Sequence, residues 1–284
     1  MKLKRKPNRK TERERFKAYP RWIGVVHLPP LPGSPGAARV PFDVTMGSVG
    51  ALALEEVRTF EAAGFDAVIL ENFGDVPFFK SEVPPETVAA MSIIAAAARQ
   101  FTKLKVGINV LRNDARAAMA IASVTGCDFI RVNVLSGVAA TDQGLIESDA
   151  ATLMRARELR DPRVSVLADV HVKHAVTLSG NDLEIAIEDL IVRTGADGVV
   201  ITGPTTGRVT ETERLTVARA AVLETGKRVR RVPLYLGSGL SAENARDVLP
   251  YVDGAIVGSS VRRGGVAGAP LDRKALKKLR SLLE

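Results

Sequence analysis

Cysteine is all but missing from this chain of 284 residues: the one thiol, Cys127, has no partner, so disulfides within the chain are excluded and a reducing, cytoplasmic compartment is expected. Its apolar neighbours point to a buried, inert group. Histidine is nearly as scarce, at three residues, and aromatic residues make up 5%. No apolar run approaches the roughly 18 residues of a membrane-spanning helix, and no signal peptide is expected ahead of the first structured segment. No H-x-x-x-H spacing marks a tight metal site. Acidic charge is in deficit too, with 32 Asp and Glu against 40 Lys and Arg, but the imbalance is local. Residues 1–17 hold nine Lys/Arg and two Glu, which leaves the remaining 267 near neutrality, at about +1. An arm of that composition has almost nothing apolar to fold with. Residues 1–19 are therefore expected to form a disordered basic tail rather than a nucleic-acid or lipid contact, and residues 20–284 a single domain.

What is present is a large core and an internal repeat. The chain is 46% hydrophobic, enough for one large α/β barrel or two small domains. "AGFDAVILEN", "TGCDFIRVNV", "TGADGVVITG" and "YVDGAIVGSS" share one grammar of helix end, turn, aspartate, apolar strand and polar tip. In the first three, Gly64, Gly126 and Gly195 stand where a helix C-terminus favours a left-handed residue. The aspartates Asp66, Asp128, Asp197 and Asp253 recur at intervals of 62, 69 and 56 residues, about twice one strand-helix unit, so a further strand is expected inside each interval. "RWIGVVHL", "KVGINVL", "VSVLADVHV" and "PLYLGSG" supply those strands, and amphipathic segments run between them. Eight short, nearly continuous apolar runs alternating with helices predict a parallel sheet buried on both faces and closed as a (β/α)8 barrel. An open doubly wound sheet is the runner-up, disfavoured because no G-x-G-x-x-G follows the first strand.

In such a barrel the C-terminal strand tips form the active face. In order they are His27, Glu71 with Asn72, Asn109, Asn133, Asp169 with His171, Thr202, Ser238 and Ser259. After the seventh strand come Gly237, Ser238 and Gly239, ahead of a helix expected to be capped by Ser241; after the eighth come Gly258, Ser259 and Ser260. Glycines admit an anion close to the backbone, serines add hydroxyl donors, and the pair of corners forms the phosphate cup common in this fold. Arg262 and Arg263 either reinforce that anion site or are solvated.

In "ADVHVKHA", strict alternation would send Asp169, His171 and Lys173 to the mouth about 7 Å apart, with Val170 and Val172 under the helices. Such a trio would move protons near neutral pH, with Lys173 contacting an oxyanion or a carbonyl; a structural ion-pair network is the competing explanation. Glu71, Asp169 and His171, with His27 across the mouth, also offer donors to a divalent ion, a lesser option. The loops "PPLPGSPGAARVPFDVTMGS" and "ENFGDVPFFKSEVPP" are expected to cover the mouth or to pack against another subunit of a homo-oligomer.

The segments "HLPPLPGSP", "ENFGDVPF", "GINVLRNDA", "FIRVNVLSGVAATDQGLIES", "ADVHVKHA" and "VGSSVRRGG" resemble the BtpA family, which includes SgcQ-type proteins, from about Trp22 to the C-terminus. The resemblance implies a phosphate-binding (β/α)8 barrel. The family takes its name from a cyanobacterial factor for photosystem I, yet its members occur widely without photosynthesis. Arg262 stands where such proteins often carry Lys. The expectation is therefore an enzyme on a phosphorylated sugar- or nucleotide-derived metabolite, of isomerase, aldolase/lyase or glycosidic-bond-cleaving type. Asp169, His171 and Glu71 would do acid–base work, and the three asparagines would orient hydroxyls. The rival is a non-catalytic assembly or stability factor.

Overall fold

The computed structural model describes residues 19–38, 41–172, 174–180, 182–202 and 212–282. Residues 1–18 of the expected basic arm, and Lys173, lie outside them. Strands β1 (Trp22–His27), β2 (Ala67–Glu71), β3 (Lys105–Asn109) and β4 (Phe129–Val132) alternate with helices α1 (Phe42–Ala62), α2 (Pro85–Phe101) and α3 (Ala115–Thr125). A hairpin follows, β5 (Val138–Thr141) and β6 (Gly144–Glu147), and then α4 (Ala150–Arg160). The second half runs β7 (Ser165–Val170), β8 (Ala175–Thr177), α5 (Leu183–Glu188), β9 (Gly198–Ile201), α6 (Thr212–Arg228), β10 (Leu234–Leu236), α7 (Ala245–Val248), β11 (Gly254–Val257) and α8 (Arg273–Arg280). Eight strands close into an all-parallel barrel in the order β1-β11-β10-β9-β7-β4-β3-β2. The fold is the (β/α)8 barrel that the repeat predicts.

The repeated motif has a mechanical basis at both its ends. Gly64, Gly126 and Gly195 take φ of 75°, 71° and 72°, turning the chain out of a helix with no side-chain clash. Each repeated aspartate then sits at the N-terminal end of an even-numbered barrel strand and accepts a backbone N–H from the strand before it. Asp66 accepts from Arg21 and Trp22, Asp128 from Val106, Asp197 from Val166 and Asp253 from Leu234. Four carboxylates thus satisfy backbone donors that a barrel's lower rim leaves unpaired.

The strands are buried on both faces. Outward residues such as Val26, Leu70, Ile108 and Ile201 pack under the helices. Inward ones, among them Ile23, Ile69, Phe129, Leu167, Tyr235 and Ile256, form a separate plug that fills the lower barrel. That plug leaves room only above it, at the C-terminal mouth. An antiparallel sheet of β6, β5 and β8 that the strand count did not foresee sits at this end, closing its own small core of Val134, Ala139, Ile146 and Val172.

Candidate functional site

Strand register sets the first part of the site. Pairing of β1 with β2 puts His27 opposite Glu71, and pairing of β2 with β3 puts Glu71 opposite Asn109. Asn109 Nδ2 donates to Glu71 Oε2 at 2.6 Å, while Oε1 faces His27 Nε2 across 3.9 Å, too far for a hydrogen bond. His27 Nδ1 accepts the backbone N–H of Gly268 at 3.1 Å, and the ring packs on Phe73 with centroids 4.5 Å apart. Burial, then the charges of Arg262 and Arg131, lower the His27 pKa to about 3, so the imidazole is neutral. With Nδ1 accepting, its single proton is on Nε2. Burial pushes the Glu71 carboxyl up from the usual carboxylate range, against an opposing pull from Arg131.

Arg131 is the residue that a list of strand tips misses. It shares the inward parity of Phe129 and Asn133 along β4, and its Nε and Nη2 grip the two oxygens of Asp169 at 3.1 and 3.0 Å. Asn133 Nδ2 adds a third donor to Asp169 at 2.7 Å. Burial opposes the Arg131 charge, but Asp169 outweighs it and the pKa moves up. Asp169 therefore accepts three hydrogen bonds and holds the Arg131 guanidinium in a fixed orientation. Arg131 Nη1 and Asn133 Oδ1 make no hydrogen bond among the described residues.

A cavity of about 230 Å³ brings His27, Glu71, Arg131, Asn133 and Asp169 together with Gly237, Ser238, Gly258 and Ser259. Gly237 is required where it stands: a Cβ there would lie 2.3 Å from Thr202 Cγ2. Beside it, Ser238 Oγ and Thr202 Oγ1 are buried with no partner among the described residues. Gly239 and Ser260 complete the two corners but do not line the cavity. Arg112, Asp142 and Gln143 do line it and carried no expectation.

Other expectations need correction. The alternation of the fifth barrel strand stops at Val170, because His171 takes φ of 51° and leaves the strand; Val172 and His174 line the cavity in its place. His171 is half-buried, its Nε2 has no partner among the described residues, and burial followed by Arg214 lowers its pKa. Asn109 supports Glu71, and Asn72 ties loops together through Leu111 and Asp75, so only Asn133 of the three asparagines faces the cavity. Ser241 is not the helix cap, since α7 starts at Ala245 after Asn244. Arg262 is buried in a two-pronged pair with Glu56 of α1 and also donates to the carbonyls of Val25 and Ala269, so it braces the barrel wall instead of meeting an anion. Among the described residues no three His, Cys, Asp or Glu side chains converge on a metal position. Asp169 already accepts three hydrogen bonds and His171 does not line the cavity, so His27, Glu71, Asp169 and His171 do not gather as one ligand set.

Solved structures share this architecture at low identity. Thiamine phosphate pyrophosphorylase from Pyrococcus furiosus superposes with a TM-score of 0.54 at 18% identity over 92% of this chain and 94% of that one. Phosphoribosyl anthranilate isomerase from Thermococcus kodakaraensis gives 0.54 at 15% over 94% and 99%. These likenesses concern the fold. Sequence relatives are closer: an uncharacterised protein of Pyrococcus horikoshii is 46% identical over 86% of this chain and 88% of its own length. The photosystem I biogenesis protein BtpA of Synechocystis is 43% identical over 90% and 85%, and a mitochondrial protein of Caenorhabditis elegans is 31% identical over 90% of each. The BtpA family model matches residues 20–284, the whole barrel that carries this mouth, and the chain belongs to the BtpA family.

Proposed function

We propose that the chain is an enzyme acting on a small phosphorylated metabolite, sugar- or nucleotide-derived, by acid–base chemistry at the C-terminal mouth of its barrel. The observation that carries this reading is one juxtaposition. A glycine-serine corner with the unpartnered hydroxyl of Ser238 opens on the same small cavity as a neutral imidazole and a carboxyl whose pKa burial raises. Groups perturbed in this way, beside unpaired donors, suit a ligand that brings its own oxygens. The guanidinium of Arg131, held by Asp169, and that of Arg112 also line the cavity. The names of structural neighbours lend support, since thiamine phosphate pyrophosphorylase, phosphoribosyl anthranilate isomerase and 3-hexulose-6-phosphate synthase each refer to a phosphorylated small molecule.

A second reading, a non-catalytic assembly factor, is favoured by the name of the Synechocystis relative, a photosystem I biogenesis protein. Thermal shift separates the two. A panel of phosphate esters is expected to stabilise the protein, by about 2.7 kcal/mol at a hundredfold excess over Kd, and Ser238→Asp is expected to abolish the effect through charge repulsion. Silence across the panel favours the assembly factor.

A further inference from the structure

We infer that the substrate is a small carbonyl compound carrying a phosphate ester, an aldose or ketose phosphate. Glu71 removes a proton from the carbon beside the carbonyl while His27 and Arg131 hold the carbonyl oxygen. The inference rests on the phosphate-ester reading above and adds the reactive group and the bond that breaks.

The geometry is specific for that unit. Glu71 Oε2 is pinned by Asn109, which leaves Oε1 as the oxygen free to act. Gly268 fixes the imidazole tautomer so that Nε2 carries a proton, 3.9 Å from Oε1 with no bond between them. A base and a donor at that separation straddle an H–C–C=O fragment, the base about 3 Å from the carbon and the donor about 3 Å from the oxygen. Because the imidazole is uncharged, it donates without losing a proton it must recover. Arg131, aimed by Asp169, offers Nη1 as a second donor to the developing charge. A Cβ at Gly258 would lie 3.6 Å from His27 Nε2, so the second glycine-serine corner adjoins the reacting pair and only a short carbon chain fits between phosphate and carbonyl.

Glycosidic cleavage fits this lining less well. Hydrolysis of a glycosidic bond needs two available carboxyl groups flanking it; of the carboxylates lining the cavity beside Glu71, Asp169 is occupied by three donors and Asp142 accepts from Gln143.

In the step itself Oε1 takes the C–H proton, the C–H electron pair becomes a C=C bond, and the carbonyl π pair moves onto oxygen as an enolate held by Nε2–H and Nη1. Return of a proton from Glu71 to the carbon restores the starting compound. In D2O the carboxyl exchanges with solvent, and the C–H becomes C–D.

The test incubates the full chain in D2O with dihydroxyacetone phosphate, ribose 5-phosphate and ribulose 5-phosphate and follows the carbon-bound protons by NMR, alongside thermal shift with the same compounds. Every compound that stabilises the protein is expected to lose its C–H signal beside the carbonyl. Glu71→Gln is expected to slow that loss by about 10²-fold or more while stabilisation persists. Glu71→Asp, which keeps the carboxylate and serves as the folded control, is expected to slow it less. His27→Ala is expected to slow it by about 10²-fold. A stabilising compound that exchanges no faster than in buffer overturns the inference and leaves phosphate binding intact. Unchanged exchange in Glu71→Gln overturns it as well. Absence of stabilisation by all three, with other phosphate esters of the panel still stabilising, overturns this inference alone, and silence across the whole panel overturns the reading beneath it as well.

Discussion

His27 shows how much one backbone hydrogen bond decides. Its donor, Gly268, lies 241 positions away in the sequence, so nothing near "VVHLPP" announces that the ring is neutral and which nitrogen bears the proton. The sign of its pH effect follows from the shift. The unfolded ring protonates near 6.5 and the folded ring at about 3, so the unfolded chain binds the extra proton between those values. Its stabilising contribution is complete above about pH 6.5 and falls away towards pH 3, with a slope of up to about 1.4 kcal/mol per pH unit. An imidazole NMR titration is expected to show an Nε2–H tautomer that persists below pH 5, and a ring that protonates near pH 6.5 contradicts it.

Glu71 behaves in the opposite sense. Burial raises its pKa, so its contribution is greatest below the unfolded value and is lost as pH rises through the folded one. Glu71→Gln, neutral at every pH, is therefore expected to raise the melting temperature at pH 8 while removing catalysis, a trade common at functional sites. Glu71 and His27 were legible as strand tips. Arg131 was not, because a tip is only the last inward residue of a strand and Arg131 stands one rung lower; the parity of Phe129, Arg131 and Asn133 is the signal that exposes it. His171 misled for a reason that no alternation rule contains, a left-handed backbone at the residue after β7.

Among the elements, the eight barrel strands were legible because burial on both faces forces unbroken apolar runs, and the repeated aspartates gave their spacing a period. The β5–β6 hairpin was not. "SGVAATDQGLIE" has few β-branched residues, and its pairing partner β8 arrives only after β7. Two outcomes are expected at this scale. Asp253→Ala strips the acceptor from the Leu234 N–H and from the Arg219 guanidinium, so urea denaturation should show a loss of about 1–3 kcal/mol, with phosphate-ester binding at the far end of the barrel unchanged. Ile146→Ala empties the small core beneath the hairpin, so hydrogen exchange should quicken at the amides of β5, β6 and β8 while β7 and β9 keep their protection. Exchange that quickens equally in all five strands contradicts the independence of this cap.

At the scale of the whole molecule, closure of the barrel is what makes a site. His27 and Glu71 come from one quarter of the chain, Arg131 and Asp169 from its middle, and the two glycine-serine corners from its last fifth, and all of them reach one cavity. The plug of inward side chains below seals that cavity from the opposite pole, where the four repeated aspartates serve the fold alone. Basic residues also line a groove between α1 and α8, at Arg58, Arg273, Lys277 and Arg280, which gives phosphate a competing place to go. The most direct measurement is therefore a titration of the isotope-labelled protein with inorganic phosphate, followed at each backbone amide. The amides of Gly237–Gly239 and Gly258–Ser260 should shift together, saturate at one concentration, and stay still in Ser238→Asp. Shifts confined to α1 and α8, with both corners silent, would contradict a phosphate site at the mouth and the chemistry assigned to it.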